Sequence, residues 1–312
     1  MTAFAFVFPG QGSQAVGMLD AWGDHPAVAE TLKEASAALG EDIGRLIHEG
    51  PKEALALTTN TQPVMLTAGI ACWRAWRAEG GAEPIAMAGH SLGEYTALVA
   101  AGALTLADAL PLVRLRATAM QEAVPVGAGA MSAILGLEGD VVRATCEAAA
   151  RESGEVVEAV NFNDPKQTVI AGTKAGVEKA SEMLKAAGAK RALPLPVSAP
   201  FHSSLMKPAA ERLLRALADV RVASPRIPVV NNIDVAAPTD PMAIREALVR
   251  QAAGPVRWVE VVQALKARGA THVVECGPGK VLAGMAKRID ESLVAASVFD
   301  PATLAEVKGM LA

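Results

Sequence analysis

Three cysteines, one tyrosine, six phenylalanines and four tryptophans are all that 312 residues contain, and no long run of basic charge occurs. Each scarcity excludes something. Cys72, Cys146 and Cys276 are far apart and form no C-x-x-C pair, so neither a zinc site nor a disulfide framework is expected. A reduced, cytoplasmic chain is the simplest reading. With few aromatic rings, core packing falls mainly to Ala, Val and Leu. Hydrophobic residues still make up 51% of the chain, enough for a sizeable core. A formal net charge of −4 without a basic run argues against nucleic acid as a main partner. The opening MTAFAFVFPG lacks a basic stretch, and its apolar run is too short for a signal peptide. The longest apolar-rich stretch, 95–113, is broken by Asp108, so no membrane span is expected.

What is there alternates. FAFVF at 4–8 reads as a buried strand ended by Pro9-Gly10. Helical patterns follow at 26–39, with Gly40 as the stop, and at 62–78. A short strand at 84–88 runs into a helix-like stretch, and 105–123 is amphipathic. This order suggests an α/β core with a mostly parallel sheet. Between 127 and 197 the pattern changes to strand 130–137, helix 140–152, strands 156–162 and 167–172, helix 174–187 and strand 191–196. That is βαββαβ, the ferredoxin-like order, and it reads as a subdomain inserted between core segments 1–126 and 198–312. The α/β pattern then resumes with helix 208–220, strand 227–232, helices 244–252 and 258–268, strand 272–275 and one last helix.

The stretch MAGHSLGEYTALV places Gly89-His90-Ser91-Leu92-Gly93 between a strand and a helix, the context a nucleophile elbow requires. A nucleophile on so sharp a turn needs very small neighbours. The same turn aims the Leu92 N–H and the helix N-terminus at the reacting centre. Ser91 needs a base. His90 adjoins it and should point away, while His25 and His48 precede it and His272 opens an apolar strand. His202, in S-A-P-F-H-S-S at 198–204, follows a proline-fixed loop and is the candidate base. No carboxylate stands out as a third member, so a backbone or amide carbonyl is an alternative orienter.

Two further features bear on chemistry. On the helix at 105–123, Arg116 neighbours Leu112, Val113, Ala119 and Met120, so it lies within the apolar face. A buried guanidinium needs an anion. The residues alone leave open a snorkelling side chain, an internal salt bridge, or a substrate carboxylate held by two parallel hydrogen bonds. Gly10-Gln-Gly12-Ser-Gln-Ala15 matches a dinucleotide fingerprint, but Gly17 and Gly23 disrupt the helix that should follow. Loop amides facing Ser91, as part of an oxyanion hole, fit better.

F-P-G-Q-G-S-Q, G-H-S-L-G-E-Y, R-x-x-x-M-Q at 116–121 and N-x-N-x-P-x-Q-x-V-I-A-G at 161–172 recur in one order. F-H-S-S-L-M at 201–206 and E-C-G-P-G-K-V-L at 275–282 complete the set. Over essentially its whole length the chain resembles the malonyl-CoA:acyl carrier protein transacylases and the related acyltransferase domains of polyketide synthases. The resemblance implies a hydrolase-like α/β fold with a ferredoxin-like insert. It implies a ping-pong transfer from malonyl-CoA to the pantetheine thiol of holo acyl carrier protein in fatty acid synthesis, with no cofactor or metal. Ser91 would be acylated and His202 would serve as general base and acid. The Gln11 and Leu92 amides would form the oxyanion hole, Arg116 would clamp the malonyl carboxylate, and the main-chain carbonyl of Gln251 would orient the histidine. Asn161, Phe201 and His90 would line the pocket. Phe201 is typical of malonyl-selective members, although Pro200 stands where many have Ala. Carrier protein is acidic in this family, so Lys190 and Arg191 are the expected docking patch. A free-standing, monomeric enzyme is implied.

Overall fold

The computed structural model describes residues 2–197 and 199–312. Met1 and Ser198, the expected start of the second core segment, lie outside the described residues. The first strand, β1 (Phe4–Phe8), is buried along its whole length. Its side chains alternate between two cores, as the period of a strand dictates. Phe4, Phe6 and Phe8 face one cluster, while Ala5 and Val7 face the other.

Four helices follow β1: α1 (Pro26–Leu39), α2 (Ile43–Glu49), α3 (Lys52–Ala56) and α4 (Thr58–Ala78). Strand β2 (Ala86–Gly89) leads directly into α5 (Gly93–Ala100), and α6 (Leu106–Glu122) closes the first segment. After the insert come α9 (Lys207–Asp219), β7 (Val229–Val230), α10 (Pro241–Ala252), α11 (Trp258–Ala267), β8 (His272–Cys276), α12 (Val281–Ile289), β9 (Val294–Val298) and α13 (Pro301–Leu311). The sheet order is β7-β2-β1-β8-β9, with every pair parallel. Helix α4 packs with α1, α5 and α6 on the aromatic side. Trp258, Val262 and Leu265 of α11 and Leu282 of α12 cover the Ala5/Val7 side.

The insert contains β3 (Gly129–Leu135), α7 (Gly139–Ser153), β4 (Val157–Asp164), β5 (Gln167–Thr173), α8 (Lys174–Ala186) and β6 (Arg191–Pro194). Its antiparallel sheet runs β4-β5-β3-β6. Ile134, Val157 and Ile170 pack under α7 and α8, whereas Met131, Val160 and Val169 face the main core. The α/β class, the parallel sheet and the βαββαβ order agree with the expectation. Backbone bonds join the insert to the core: Phe162 N–H donates to the Val256 carbonyl at 3.0 Å, and Val256 N–H to the Val160 carbonyl at 2.8 Å. Arg288 of α12 pairs with the buried Asp164 at 2.7 Å.

Several boundaries depart from the sequence reading. The strand expected over 227–232 contracts to Val229–Val230. Pro228 has no N–H to give, and Asn231 turns the chain by accepting the Asp234 N–H at 2.8 Å. The stop after one last helix is wrong: β9 and α13 follow α12. Strand β9 carries Ala and Ser at its centre, a weak strand signal, and pairs in parallel with β8. Asp300 and Thr303 form a capping box that starts α13. No sequence expectation covered α2 and α3. The 10–25 region contains only turns and a short 3-10 helix at Asp20–Trp22, so no long helix follows Gly10-Gln-Gly12.

Phe6 meets Trp73 and Trp76 edge-on at ring-centroid distances of 5.7 and 5.3 Å. In a chain so poor in aromatics this contact joins the central strand to α4. Phe6→Ala should cost about 3–5 kcal/mol of stability, read as a lowered urea midpoint. A shift worth less than about 1 kcal/mol on the same scale would contradict the packing assignment.

Candidate active site

The carboxyl ends of β1 and β2 meet at one point, where open parallel sheets place their chemistry. Ser91 sits on the turn between β2 and α5 with φ of 52°, a left-handed conformation that strains a non-glycine residue. Its neighbours explain how the strain persists. A Cβ on Gly93 would lie 2.0 Å from the Phe8 carbonyl oxygen, and one on Gly89 would lie 1.9 Å from the Gly93 carbonyl carbon. The turn is also tied from outside. Asn232 accepts the Ser91 N–H with Oδ1 at 2.7 Å and donates Nδ2 to the Gly89 carbonyl at 2.7 Å. Asn232 is fully buried, and its own N–H donates to Glu94 at 2.8 Å.

His202 is brought from the far segment, also with positive φ, at 65°. Its Nε2 lies 2.7 Å from Ser91 Oγ, and its Nδ1 lies 3.0 Å from the Gln251 carbonyl oxygen. A carbonyl only accepts, so Nδ1 carries the proton and Nε2 is left to receive one from Ser91. Among the described residues no carboxylate bonds the ring. The imidazole is buried, and burial followed by the nearby Arg116 charge pushes its pKa down from 6.5 to about 3. It is therefore a neutral base at physiological pH.

Arg116 is 2% exposed, as its place on the apolar face of α6 foretells. Nη1 donates to Gln62 Oε1 at 2.7 Å, and Nη2 donates to Gln251 Oε1 at 2.9 Å and to Ser91 Oγ at 3.1 Å. Its face lies 5.4 Å from the Tyr95 ring centroid. Among the described residues no carboxylate forms a salt bridge with it, although the Glu94 carboxyl attracts it at longer range, and its buried Nε has no hydrogen-bond partner. Burial holds the guanidinium pKa below its ordinary value. The snorkelling and internal salt-bridge alternatives are thereby set aside.

Gln251, at the end of α10, joins these groups. Its backbone carbonyl meets His202 and its side-chain oxygen meets Arg116. Its Nε2 donates to the Ser91 carbonyl and to Glu94, each at 3.0 Å. Burial raises the Glu94 carboxyl from 4.5 to about 7.

A cavity of about 130 Å³ opens onto Ser91, His202 and Arg116. Gln11, Leu92, His90, Asn161 and Phe201 border it, and Gln62, Met120, Met131, Leu195 and Val197 complete the wall. His90 turns from Ser91 to Asn163, 2.9 Å away, as expected, yet its ring still edges the cavity. The Oδ1 of Asn161 is buried without a hydrogen-bond partner. Lys190 and Arg191 lie exposed at the start of β6, away from the cavity wall. Sequence reasoning missed Gln62, Asn232 and Glu94. Glu94 follows the glycine of the elbow motif, and Gln62 is a polar residue at a buried helical position. Asn232 carries no local signal, because its partners lie more than a hundred residues away.

A model of the acyl transferase domain matches residues 5–306 of the chain. The malonyl CoA-acyl carrier protein transacylase of Salmonella typhimurium is 55% identical over 305 residues, covering 97% of this chain and 98% of that protein. The crystal structure of an acyl-carrier-protein S-malonyltransferase from Burkholderia pseudomallei is 68% identical. It superposes with a TM-score of 0.97, over 99% of this chain and 100% of that one. A malonyl-transacylase solved in complex with a holo type II polyketide acyl-carrier protein is 49% identical, with a TM-score of 0.96, covering 99% and 100% of the two chains. With a serine on a strained turn, an imidazole in contact with it and a guanidinium bonded only to neutral acceptors in one cavity, these likenesses lead to one conclusion: the chain belongs to the acyl transferase family, among the malonyl CoA-acyl carrier protein transacylases.

Proposed function

We propose that this protein moves a malonyl group from malonyl-CoA to the phosphopantetheine thiol of holo acyl carrier protein, through an acyl-serine intermediate, to supply fatty acid synthesis. The observation that carries the reading is Arg116. It is a buried cation without a carboxylate partner, 3.1 Å from the hydroxyl that would be acylated. A thioester whose acyl group ends in a carboxylate supplies the missing anion at the place where its carbonyl meets Ser91. The relatives support the substrate pair: their names specify malonyl CoA and acyl carrier protein.

In the first half-reaction Ser91 Oγ attacks the thioester carbonyl while His202 Nε2 takes the hydroxyl proton. The negative charge that forms on the carbonyl oxygen is received by the Leu92 and Gln11 backbone N–H groups. Collapse expels CoA, whose sulfur leaves with the proton from His202. In the second half-reaction the carrier's thiol gives its proton to His202 and attacks the serine ester, and collapse returns the proton to Ser91. Donor and product are both pantetheine thioesters, so the exchange is close to thermoneutral. The carboxylate on Arg116 also offsets the charge that helps hold His202 low, making the base stronger when the right cargo is bound. We assign the reacting groups to residues 1–126 and 198–312, and the pocket wall and carrier-facing surface, with Lys190 and Arg191, to residues 127–197.

Incubation with malonyl-CoA should add one malonyl mass to the intact protein, and holo acyl carrier protein should remove it with formation of malonyl carrier. Ser91→Ala should abolish the adduct. Rapid hydrolysis of malonyl-CoA without carrier would instead identify a thioesterase. Arg116→Ala should slow malonyl transfer by about a hundredfold or more, as for loss of one partner of a buried charged pair, while slow acetyl transfer persists. An unchanged malonyl over acetyl preference would dismiss the clamp. Because the folded imidazole pKa lies below its ordinary 6.5, at about 3, the base stays neutral as pH falls through 6.5. Single-turnover acylation should therefore show no loss attributable to imidazole protonation with a midpoint near 6.5. Such a loss, absent from a variant at His202 assayed for its residual rate, would refute the depressed value.

A further inference from the structure

Transfer chemistry accounts for the charge on Arg116 but not for what keeps that charge available. Gln62 lies at the buried start of α4, 2% exposed, with its amide oxygen 2.7 Å from Arg116 Nη1 and its amide nitrogen 4.0 Å from Met120 Sδ. Gln251 offers a second amide oxygen at 2.9 Å. Both are dipoles. They fix the plane of the guanidinium and satisfy three of its contacts together with Ser91, yet cancel none of its net charge. The carboxylate on the adjoining helix, Glu94, makes its hydrogen bonds elsewhere, accepting from Asn232 N–H and Gln251 Nε2. Replacing the Gln62 amide by a carboxylate would change an NH2 for an oxygen at nearly constant volume. It would place a counter-ion directly on Nη1, and the arginine would no longer need one from the cargo.

We propose that Gln62 is a specificity-determining residue for the transfer reaction above, on which this inference rests. Its neutrality leaves Arg116 without a directly bonded counter-ion, Glu94 acting only at longer range, so that the pocket takes acyl groups ending in a carboxylate and rejects uncharged ones. Discrimination then depends on the cost of an unpaired buried cation when an acetyl group occupies the site, and not on the size of the cavity alone. Gln62 needs no contact with the reacting atoms to act in this way.

The test compares acylation of Ser91 by malonyl-CoA and by acetyl-CoA, each followed by intact mass in a single turnover, in the full-length parent, Gln62→Glu and Gln62→Met. In Gln62→Glu, malonyl acylation should fall by about a hundredfold or more, the scale of losing a buried charged pair, with acetyl acylation changed by less than about threefold. In Gln62→Met, which has similar bulk and no charge, both rates should fall together and the malonyl preference should survive. Retention of the parental preference in Gln62→Glu, or its equal loss in both variants, would overturn the proposal. If thermal melts show that Gln62→Glu does not fold, Gln62→Met decides: preference kept supports the role and preference lost removes it. A parent that forms no malonyl adduct would instead refute the transfer reading, whereas a normal parent with an unaltered Gln62→Glu variant refutes only the role of Gln62.

Discussion

A guanidinium sealed inside the fold without a directly bonded counter-ion among the described residues, with only the Glu94 carboxyl acting on it from beyond Gln251, is the constraint around which the site is arranged. Left unpaired, such a charge costs several kcal/mol, and a folded protein tolerates it only where surrounding contacts over-determine the position. Here those contacts are many. The helix that carries Arg116 packs with α4 and α9, the Tyr95 ring lies against the guanidinium, and two amide oxygens and a hydroxyl take its donors. The arrangement stabilises the geometry of the cation more than its charge. What remains unsatisfied is electrostatic, and an anion entering the cavity is what would satisfy it.

The same charge reaches the base. His202 is buried, but burial alone does not account for its depressed pKa; the cation beside it is the second cause. Gln251 couples the two structurally, giving its backbone to the imidazole and its side chain to the guanidinium and the elbow. Any displacement of α10's end therefore moves His202, Arg116 and Ser91 together. A carbonyl in place of the usual acid as the orienter also makes sense here. A carboxylate at that position would sit close to Arg116 and would compete with the cargo for it.

Much of this was legible in one dimension. The alternation of Phe with Ala and Val along β1 declares a strand buried on both faces, and the glycines flanking Ser91 declare a turn that tolerates no larger neighbour. The apolar neighbours of Arg116 at helical spacing declare its burial. Legibility failed where the determining partner is distant or the local signal is weak. Asn232 was hidden within what reads as a strand, because its function is to hold a turn 141 residues earlier in the chain. Strand β9 is short and carries Ala and Ser, and only its pairing with β8 makes it a strand. Gln62 reads as the first residue of the helix expected over 62–78, where a polar side chain suggests exposure, yet α4 begins at Thr58 and buries it. There, Thr61 donates its hydroxyl to the Leu57 carbonyl at 3.0 Å and ties the first turn back to the preceding residue.

The two main-chain bonds that lace β4 to Val256 have a mechanical meaning. Val256 lies only five positions beyond Gln251, and Asn161, on the strand it is laced to, forms the opposite wall of the cavity. A rigid swing of the insert away from the core would tear both bonds and drag on the orienter of the imidazole. The jaws of this enzyme are thus sewn together at their inner corner. Both bonds therefore oppose any widening of the cavity that would separate Asn161 from the Gln251 end of α10.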